Sequence, residues 1–450
     1  MDNINENVEL FRNLLKEKDY SKLRSLAHEM NVQDLAFVME EMEDEDMLKL
    51  FRMLPKELAA DVFAEMEVDS QQYIITSLSD KEAGSIIDNL YADDATDLLE
   101  EMPANVVKKI LANAKPETRA DINHLLQYPE DSAGSIMTVE FVDLNINMTV
   151  GDAIERIREY GSDSESIETL YVLNPKRVLL GTVGLRKIIL ADKEDRIEDI
   201  MHEDFISCNT SMDQEEVSQL FMKYDLVQLP VVDKENRMVG IITVDDVIDI
   251  IQQETTEDID KMAGIIPGDK PYLKTSVIET WKKRIPWLLL LMISATFTGG
   301  IIKGFEDALS QMIVLTAYIP MLMDTGGNSG NQASAEVVRS LSLGEVSFSD
   351  FFKVVWKEFR VGLLCGLTLS IANFAKCIFF DGLEPMVALV ICLTILCAVL
   401  IAKLLASMLV LIIDHMHLDP AVVASPMLTT AIDAVSLLIY FTVATVLLHI

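Results

Sequence analysis

The segment Arg237-Met-Val-Gly-Ile-Ile-Thr-Val244 has a partner earlier in the chain, and together they set the fold of its middle part. The partner, Val178-Leu-Leu-Gly-Thr-Val-Gly-Leu185, aligns with it at a separation of 59 residues. A predicted helix and a predicted strand precede each segment. These elements are 150–160 with 169–173, and 214–224 with 228–232. A unit this small usually buries its sheet against a twin, so the repeat predicts a tandem α/β pair.

Residues 1–128 have the pattern of short amphipathic helices. Apolar residues recur at spacings of three and four, as in the series Leu48, Phe51, Leu54 and Leu58. The apolar runs are interrupted every 24 residues, at Asn31, Pro55, Ser79 and Pro103. Short helices that repeat in this way stack on their neighbours, so we expect an all-α superhelical domain.

Five apolar segments follow a charged connector that ends in Trp281-Lys-Lys-Arg284. They are 286–302, 308–323, 360–380, 386–413 and 426–448. Each is near or above the length that crosses a hydrocarbon core as a helix, except 308–323, which is short and contains Pro320. The sequence therefore predicts a multidomain fold with an all-α superhelical N-domain, an α/β pair, a connector helix and an α-helical transmembrane domain with five spans. The predicted boundaries are 1–128, 129–195, 196–255, 256–284 and 285–450.

Most of the charge lies before the apolar segments. Residues 1–284 contain 30 Lys and Arg against 60 Asp and Glu, and so carry −30 of the formal charge of −35. Such an excess repels nucleic acid, and it destabilises the compact state unless cations neutralise it. A solvated acidic surface that keeps the protein soluble is the alternative interpretation. The charge argues against nucleic acid as a partner and leaves both interpretations open.

Charged residues that flank the apolar segments predict the orientation in the membrane. Lys282, Lys283 and Arg284 precede the first segment, whereas the loop 381–385 has two acids and no base. A further basic group lies in the predicted loop before the third segment: Arg339, Lys353, Lys357 and Arg360. Cytosolic loops are enriched in Lys and Arg, and no apolar signal region follows the acidic N-terminus. We expect a multi-pass protein of the cell membrane with a cytosolic N-terminus and an external C-terminus.

Asp433 is the strongest functional candidate within the apolar segments. A charge inside a span costs about 2.5–3.5 kcal/mol on insertion scales, so a carboxylate there requires a cation or a proton. Pro426 removes a helical hydrogen bond, and Thr429 and Thr430 add hydroxyl groups one turn before Asp433. Oxygen ligands suit a hard cation, and Mg²⁺ is usually held by one or two carboxylates with several waters retained. A buried, protonated Asp that holds helices together is the alternative.

The segment Pro320-Met-Leu-Met-Asp-Thr-Gly-Gly-Asn-Ser-Gly-Asn-Gln332 ends the second predicted span with small residues and amides. Small residues let membrane helices approach closely. Amides such as Asn328 and Asn331 instead offer oxygen ligands to an ion. Taken alone, the segment fits either role.

Two resemblances add to these patterns. Leu229-Pro-Val-Val-Asp233, followed by Val239-Gly-Ile-Ile-Thr-Val-Asp-Asp-Val247, resembles the CBS (cystathionine-β-synthase-type) domain, a regulatory module that often binds adenine nucleotides between two copies. Residues 320–332, Asp419-Pro420 and Pro426-x-x-Thr-Thr-x-x-Asp433, within this order of domains, resemble the MgtE family of magnesium channels or transporters. The second resemblance covers essentially the whole chain. It implies a homodimer among membrane lipids, with a central pore that takes up Mg²⁺ and closes when cytosolic Mg²⁺ binds.

The MgtE resemblance also implies roles for particular residues. In the pore it implies Asp433 and, near the cytosolic mouth, Asp419; Thr429, Thr430, Asn328 and Asn331 are the further candidate ligands. The sensing acids that it implies are Asp61, Asp93, Asp97, Asp213, Glu215, Asp225, Asp246, Asp249, Glu254, Glu257 and Asp258. The expected cofactors are Mg²⁺ and, at the CBS cleft, ATP.

Other classes of protein fit the sequence less well. An anion channel would present Lys, Arg or helix N-termini where Asp433 lies, and an enzyme would show a nucleophile with a base or a phosphate loop of the Gly-x-x-x-x-Gly-Lys type. The sequence has no such catalytic pattern. Lys376 and Lys403 lie within the third and fourth spans, where we expect snorkelling or an intramembrane ion pair. The sequence does not decide between a channel and a coupled transporter, nor whether Co²⁺, Zn²⁺ or Mn²⁺ also passes.

Overall fold

The computed structural model of the protein describes residues 2–268, 270–423 and 426–449. It divides into two compact units, one up to Ile248 and one from Asp249 onward. The first unit contains the helical domain and the α/β pair, and the second contains the long apolar helices.

The N-terminal domain is helical, as predicted. Its helices are α1 Asp2–Glu17, α2 Tyr20–Glu29, α3 Val32–Glu40, α4 Asp44–Phe51, α5 Lys56–Ala64, α6 Val68–Ser77, α7 Asp80–Ile87, α8 Ala92–Glu100, α9 Ala104–Asn113 and α10 Pro116–Leu125. The residues that recur every 24 positions are the N-caps of α3, α5, α7 and α9. At Ser79 the cap is a capping box with Glu82, which satisfies two backbone N–H groups at the helix start. Helices two apart in the chain pack together, for example α3 on α5 and α7 on α9, so the repeat builds a superhelix.

The α/β pair consists of two similar three-stranded sheets, and this confirms the prediction from the repeat. The strands are β1 Phe141–Asn145, β2 Ser166–Leu173, β3 Leu179–Gly184, β4 Cys208–Asn209, β5 Gln228–Val232 and β6 Met238–Thr243. The helices are α11 Val150–Tyr160, α12 Leu185–Leu190, α13 Ile197–Ile200, α14 Gln214–Tyr224 and α15 Val244–Met262. In each sheet the first strand runs parallel to the second, and the second antiparallel to the third. The two sheets share a core in which the Tyr171 hydroxyl donates to Gln228 Oε1 at 3.2 Å.

The expected connector helix over 256–284 is two separate helical pieces. α15 begins directly after β6 and ends at Met262, and α16 (Val277–Gly304) carries residues 277–284 as its first two turns. Gly264 between them has φ +69, a left-handed conformation that ends a helix. Ser276 then caps α16 by accepting from the N–H of Glu279.

The second unit is built from long helices. Besides α16 they are α17 Glu306–Gln311, α18 Ile319–Ser342, α19 Phe351–Phe379, α20 Pro385–His415, α21 Pro420–Val423 and α22 Pro426–Leu448, with short 3₁₀ turns at Ile313–Tyr318 and Phe348–Asp350. Among the described residues, α16, α19, α20 and α22 are long and apolar enough to cross a membrane. α20 is central and packs against α18, α19 and α22.

The predicted span over 308–323 is wrong. This region contains α17, a 3₁₀ turn and only the first turn of α18. The fifth long helix is α18 itself, which starts around Pro320 and runs through the glycine- and amide-rich segment rather than ending before it. Proline fits the first helical turn, because the N–H that it lacks has no partner there. The basic residues placed in a loop before the third span are helical instead: Arg339 lies in α18, and Lys353, Lys357 and Arg360 lie in α19.

Candidate metal sites

The glycines of α18 bring this helix close to α22. A Cβ atom added to Gly326 would lie 2.6 Å from Ser436 Oγ, and one added to Gly327 would lie 2.9 Å from Thr429 Cγ2. At Gly330 the added atom would clash with Ile432 Cδ1. The small residues therefore serve packing.

Asp433 lies in a pocket of about 400 Å³ between α18 and α22. Asn328 and Thr429 line the same pocket, and the Thr429 hydroxyl donates to Asn331 Oδ1 at 3.1 Å. Among the residues that the structure describes, Asp433 Oδ1 is buried and has no hydrogen-bond partner. The structure thus brings together four of the predicted pore residues, whereas Thr430 does not line the pocket. We call this site the Asp433 pocket.

Asp324 also lines the Asp433 pocket, and the sequence interpretation gave it no role. It lies four residues before Asn328 in α18, so both side chains occupy one helix face. The signal was present in the sequence as a charge within an apolar helix. It was missed because the second span was expected to end at this segment.

Asp419 lies at the start of α21, where it caps the helix by accepting from the N–H of Ala421 at 2.7 Å. Lys261 Nζ lies 2.6 Å from Asp419 Oδ2 and also forms an ion pair with Glu257. Burial alone would lower the pKa of Lys261, but the hydrogen bonds to the two carboxylates outweigh burial and raise it. Sequence reasoning missed this lysine, which occupies the place of a cation between a predicted sensing acid, Glu257, and a predicted pore residue, Asp419.

The end of α15 is attached to the membrane helices by two further contacts. The Ser342 hydroxyl of α18 donates to Asp258 Oδ2 at 3.2 Å. Met262 packs against an apolar cluster that contains Val338 of α18 and Val410 of α20. Three predicted residues, Glu257, Asp258 and Asp419, are therefore gathered in one region of the second unit.

A group of carboxylates lies where α8 meets the α/β pair in the first unit. Asp93 and Asp94 of α8 interact electrostatically with Glu165 and Asp246 of the pair. Burial and then Asp246 raise the pKa of Asp94 to about 7, and burial followed by the same neighbour raises the pKa of Glu165 to about 8. Glu165 Oε2 is buried and makes no hydrogen bond to any described residue. This acidic group binds protons more tightly than separate carboxylates would, and a cation would replace those protons.

The other predicted sensing acids do not join these groups in the same way. Asp213 caps α14 by accepting from the N–H of Glu215 at 2.9 Å, and Asp225 ends that helix in a left-handed conformation with φ 51. Asp97 of α8 is the exception: although the residue has exposed surface, burial of its carboxyl group and then Glu100, Asp94 and Asp246 raise its pKa to about 7, so it belongs to the acidic group. Asp61 is exposed on α5, and Asp249 and Glu254 lie on α15. Over the described ranges, no three His, Cys, Asp or Glu side chains converge into a ready-made metal cage.

Both lysines have acidic partners, but only Lys403 confirms the expected intramembrane ion pair; Lys376 reaches an acid in the loop after α19, which fits the alternative expectation of snorkelling. Lys403 Nζ lies 3.9 Å from Glu358 Oε2, and both side chains are about 95% buried. Lys376 Nζ lies 2.8 Å from Asp381 Oδ2, and its side chain is half exposed. Glu358 was not singled out from the sequence, because nothing local shows that α19 brings it against α20.

Long apolar helices, a carboxylate of one of them in a polar pocket beside α18, and a tandem CBS-type pair define an integral membrane transport protein with a regulatory soluble unit. Family profiles match along most of the chain. The divalent cation transporter profile MgtE matches residues 319–443, the MgtE intracellular N domain 30–131, and the CBS domain 133–194 and 197–253. The chain belongs to the MgtE family, as the resemblance implied, and is a multi-pass membrane protein.

Several relatives are similar over nearly their whole length. The magnesium transporter MgtE of Thermus thermophilus is 36% identical, with 97% of each chain covered. The magnesium transporter MgtE of Bacillus subtilis is 31% identical, with 97% of this chain and 96% of that protein covered. The crystal structure of the cytosolic domain of the Mg²⁺ channel MgtE in complex with ATP is 35% identical with a TM-score of 0.52, covering 54% of this chain and 99% of that one.

Proposed function

We propose that this protein carries Mg²⁺ into the cell through a pore lined by α18 and α22. Mg²⁺ that binds its acidic soluble unit closes the pore. The observation that carries the proposal is Asp433, whose buried Oδ1 has no partner among the described residues in a pocket shared with Asn328 and Thr429. An unpaired carboxylate in a membrane helix attracts a cation. The names of the relatives support Mg²⁺ as that cation, and transport rather than enzymatic catalysis as the activity.

The pocket suits a hydrated ion. Mg²⁺ sheds water reluctantly, and a carboxylate, a hydroxyl and an amide can each hold one of its waters. Six waters at about 30 Å³ each occupy about 180 Å³. This volume is less than half of the 400 Å³ pocket, so the hydrated ion fits without losing its water shell.

A homodimer would complete the pore. One face of α18 carries four polar side chains that are exposed in the single chain: Asp324, Asn328, Asn331 and Gln332. Lipid tails offer these groups no hydrogen bonds, so this face requires water or protein beside it. A second copy would place the two faces around a shared aqueous path within the surrounding lipids. The basic residues before the apolar part of α16 support a cytosolic N-terminus and, with five spans, an external C-terminus.

The gate requires several weak cation sites rather than one tight site. Moving a pore from about 1:99 to 99:1 takes roughly 5.5 kcal/mol of differential binding. One ion at about ten times its dissociation constant supplies roughly 1.4 kcal/mol if it binds the closed state alone. About four such ions suffice. The acidic group around Asp94 and Glu165, and the acids near Asp419, offer this kind of site.

Nucleotide binding is proposed for the CBS cleft. A solved relative of the soluble unit was crystallised with ATP, and it covers 54% of this chain at 35% identity. Isothermal titration of the full-length protein with ATP tests this binding. Absence of heat above a GTP control would refute a site for adenine nucleotides.

Ion flux into liposomes tests the main proposal. Purified protein is reconstituted, and Mg²⁺ uptake is measured while Mg²⁺ on the side of the soluble unit is varied. We expect Asp433→Asn to reduce uptake at least tenfold, which corresponds to about 1.4 kcal/mol or more. Glu384→Gln is the matched control, because Glu384 is an exposed acid at the start of α20 outside the pocket. Normal uptake by Asp433→Asn would exclude this pore, and Co²⁺, Zn²⁺ or Mn²⁺ in the same assay measures selectivity.

A further inference from the structure

α18 borders a second polar pocket, on the side that faces α19. Its volume is about 460 Å³. Its α18 wall consists of Asp324, Thr325, Asn328, Ser329 and Gln332, and its α19 wall of Leu364, Cys365, Thr368 and Leu369. We call it the α18–α19 pocket. One wall is polar and the other mainly apolar, so any polar ligand is held by α18.

Two of the hydroxyl groups in this pocket are already used within their own helices. Thr325 donates to the carbonyl of Met321 at 2.6 Å, and Thr368 donates to the carbonyl of Leu364 at 2.8 Å. The groups left for a ligand include Asp324, Asn328 and Gln332, which recur every four residues on one face of α18. One carboxylate followed by two amides along the same helix face can bind a cation through oxygen atoms and through the cation's waters.

Ser329 favours a polar occupant over an apolar one. The residue is only 7% exposed, and its Oγ makes no hydrogen bond to any described residue. A buried hydroxyl without a partner costs about 1–3 kcal/mol. A lipid tail in the pocket would leave this cost in place, whereas water carried by an ion would remove it. The buried hydroxyl of Ser329 and the exposed carboxylate of Asp324 therefore both favour a hydrated cation.

We infer that the α18–α19 pocket is a second binding site for a hydrated divalent cation, with Asp324 as its carboxylate. This inference rests on the proposed transport function. Asp324 and Asn328 line both pockets, so a cation can pass from one to the other without leaving their reach. Conduction requires several weak sites in sequence, because one tight site would retain the ion. Asp324 therefore provides a further weak site on the path that includes Asp433.

Cys365 is a natural reporter for occupancy of this pocket. It is a free, partly exposed thiol in the α19 wall. Tryptic cleavage after Arg360 and Lys376 yields a peptide in which it is the sole cysteine, so its alkylation can be measured by mass spectrometry in the unmodified chain. The full-length protein in liposomes is treated with a small thiol reagent in Mg²⁺ or in choline at the same ionic strength. When the Mg²⁺ concentration is roughly ten times the dissociation constant of the site, we expect Cys365 to be alkylated about tenfold more slowly than in choline.

Three variants decide the result. We expect Asp433→Asn to keep the protection of Cys365, Asp324→Asn to lose it, and Gln332→Leu, which leaves the carboxylate in place, to weaken it. The sensing acids are intact in Asp324→Asn, so a loss of protection would not come from a loss of gating. Absence of protection in the folded wild-type protein, or equal protection in Asp324→Asn, would overturn the second site. Uptake by Asp433→Asn tests the pore separately, so the two proposals fail on different measurements.

Discussion

The buried ion pair between Lys403 and Glu358 offers a quantitative test of the packing between α19 and α20. The charged atoms are 3.9 Å apart, and the two residues are 4% and 3% exposed. At an effective dielectric constant of about 20, two charges at this distance attract by about 4 kcal/mol. Removing one partner leaves the other charge buried and unpaired, which typically costs about 3–5 kcal/mol. We therefore expect Lys403→Met and Glu358→Gln each to lower the free energy of unfolding by about this amount.

The double variant Glu358→Gln/Lys403→Met should lose less than either single variant, because no charge stays unpaired. Lys376→Met is the matched control: Lys376 also pairs with an acid, but its side chain is half exposed, so we expect a loss of about 0–1 kcal/mol. Unfolding of the purified variants in mixed micelles, followed by circular dichroism, measures all four. The reasoning is refuted if Lys403→Met costs no more than Lys376→Met, or if the double variant loses the sum of the singles.

Three further predictions concern helix contact, protons and the pore mouth. Gly326→Ala should lower Mg²⁺ uptake, because its Cβ would lie 2.6 Å from Ser436 Oγ; adding Ser436→Ala should restore uptake, and an unaffected single variant would contradict this contact. The pKa of Asp94 is raised to about 7, above its unfolded value, so this group makes the metal-free unit less stable as pH rises from about 4 to about 7. Because protons compete with Mg²⁺ there, the Mg²⁺ midpoint for protease protection should be lower at about pH 8 than at about pH 6; an unchanged midpoint would be evidence against cation binding at these acids. Lys261→Met removes the ion pair with Asp419, so it should raise the cytosolic Mg²⁺ concentration at which uptake falls to half. Lys261→Arg keeps a cation at this position and should leave that concentration unchanged. Equal concentrations for Lys261→Met and the wild-type protein would mean that this ion pair does not hold the pore closed.

The sequence predicted the parts of the fold that depend on local chemistry. Asn31 and Ser79 were predicted as breaks between helical runs, and the structure shows that they are N-caps, whose side chains act within a few residues of the backbone that they satisfy. The two CBS sheets could be predicted because their strands are repeated at a constant separation. Both signals lie within short windows, where neighbouring residues in the chain are also neighbours in space.

The second membrane helix could not be placed by apolar content. α18 contains Asp324, three amides and several glycines, so its composition does not resemble a span. It is stabilised by close contact with α20 and α22, and such contact depends on residues far away in the chain. Glu165 and Lys261 were missed for the same reason: each acquires its role from partners that only the folded chain brings near. Asp324 was missed because the second span was expected to end at its segment.

Lys261, at the end of α15, has a consequence for the electric potential at the proposed pore mouth. While Lys261 lies between Glu257 and Asp419, the three groups carry a net charge of −1, and Asp419 attracts few counter-ions of its own. If α15 withdraws, Asp419 loses its positive neighbour and the potential around it becomes more negative. A negative entrance raises the local concentration of divalent cations, with an effect that salt screens. Withdrawal of α15 from Asp419 would therefore also raise the local concentration of the cation that the protein transports.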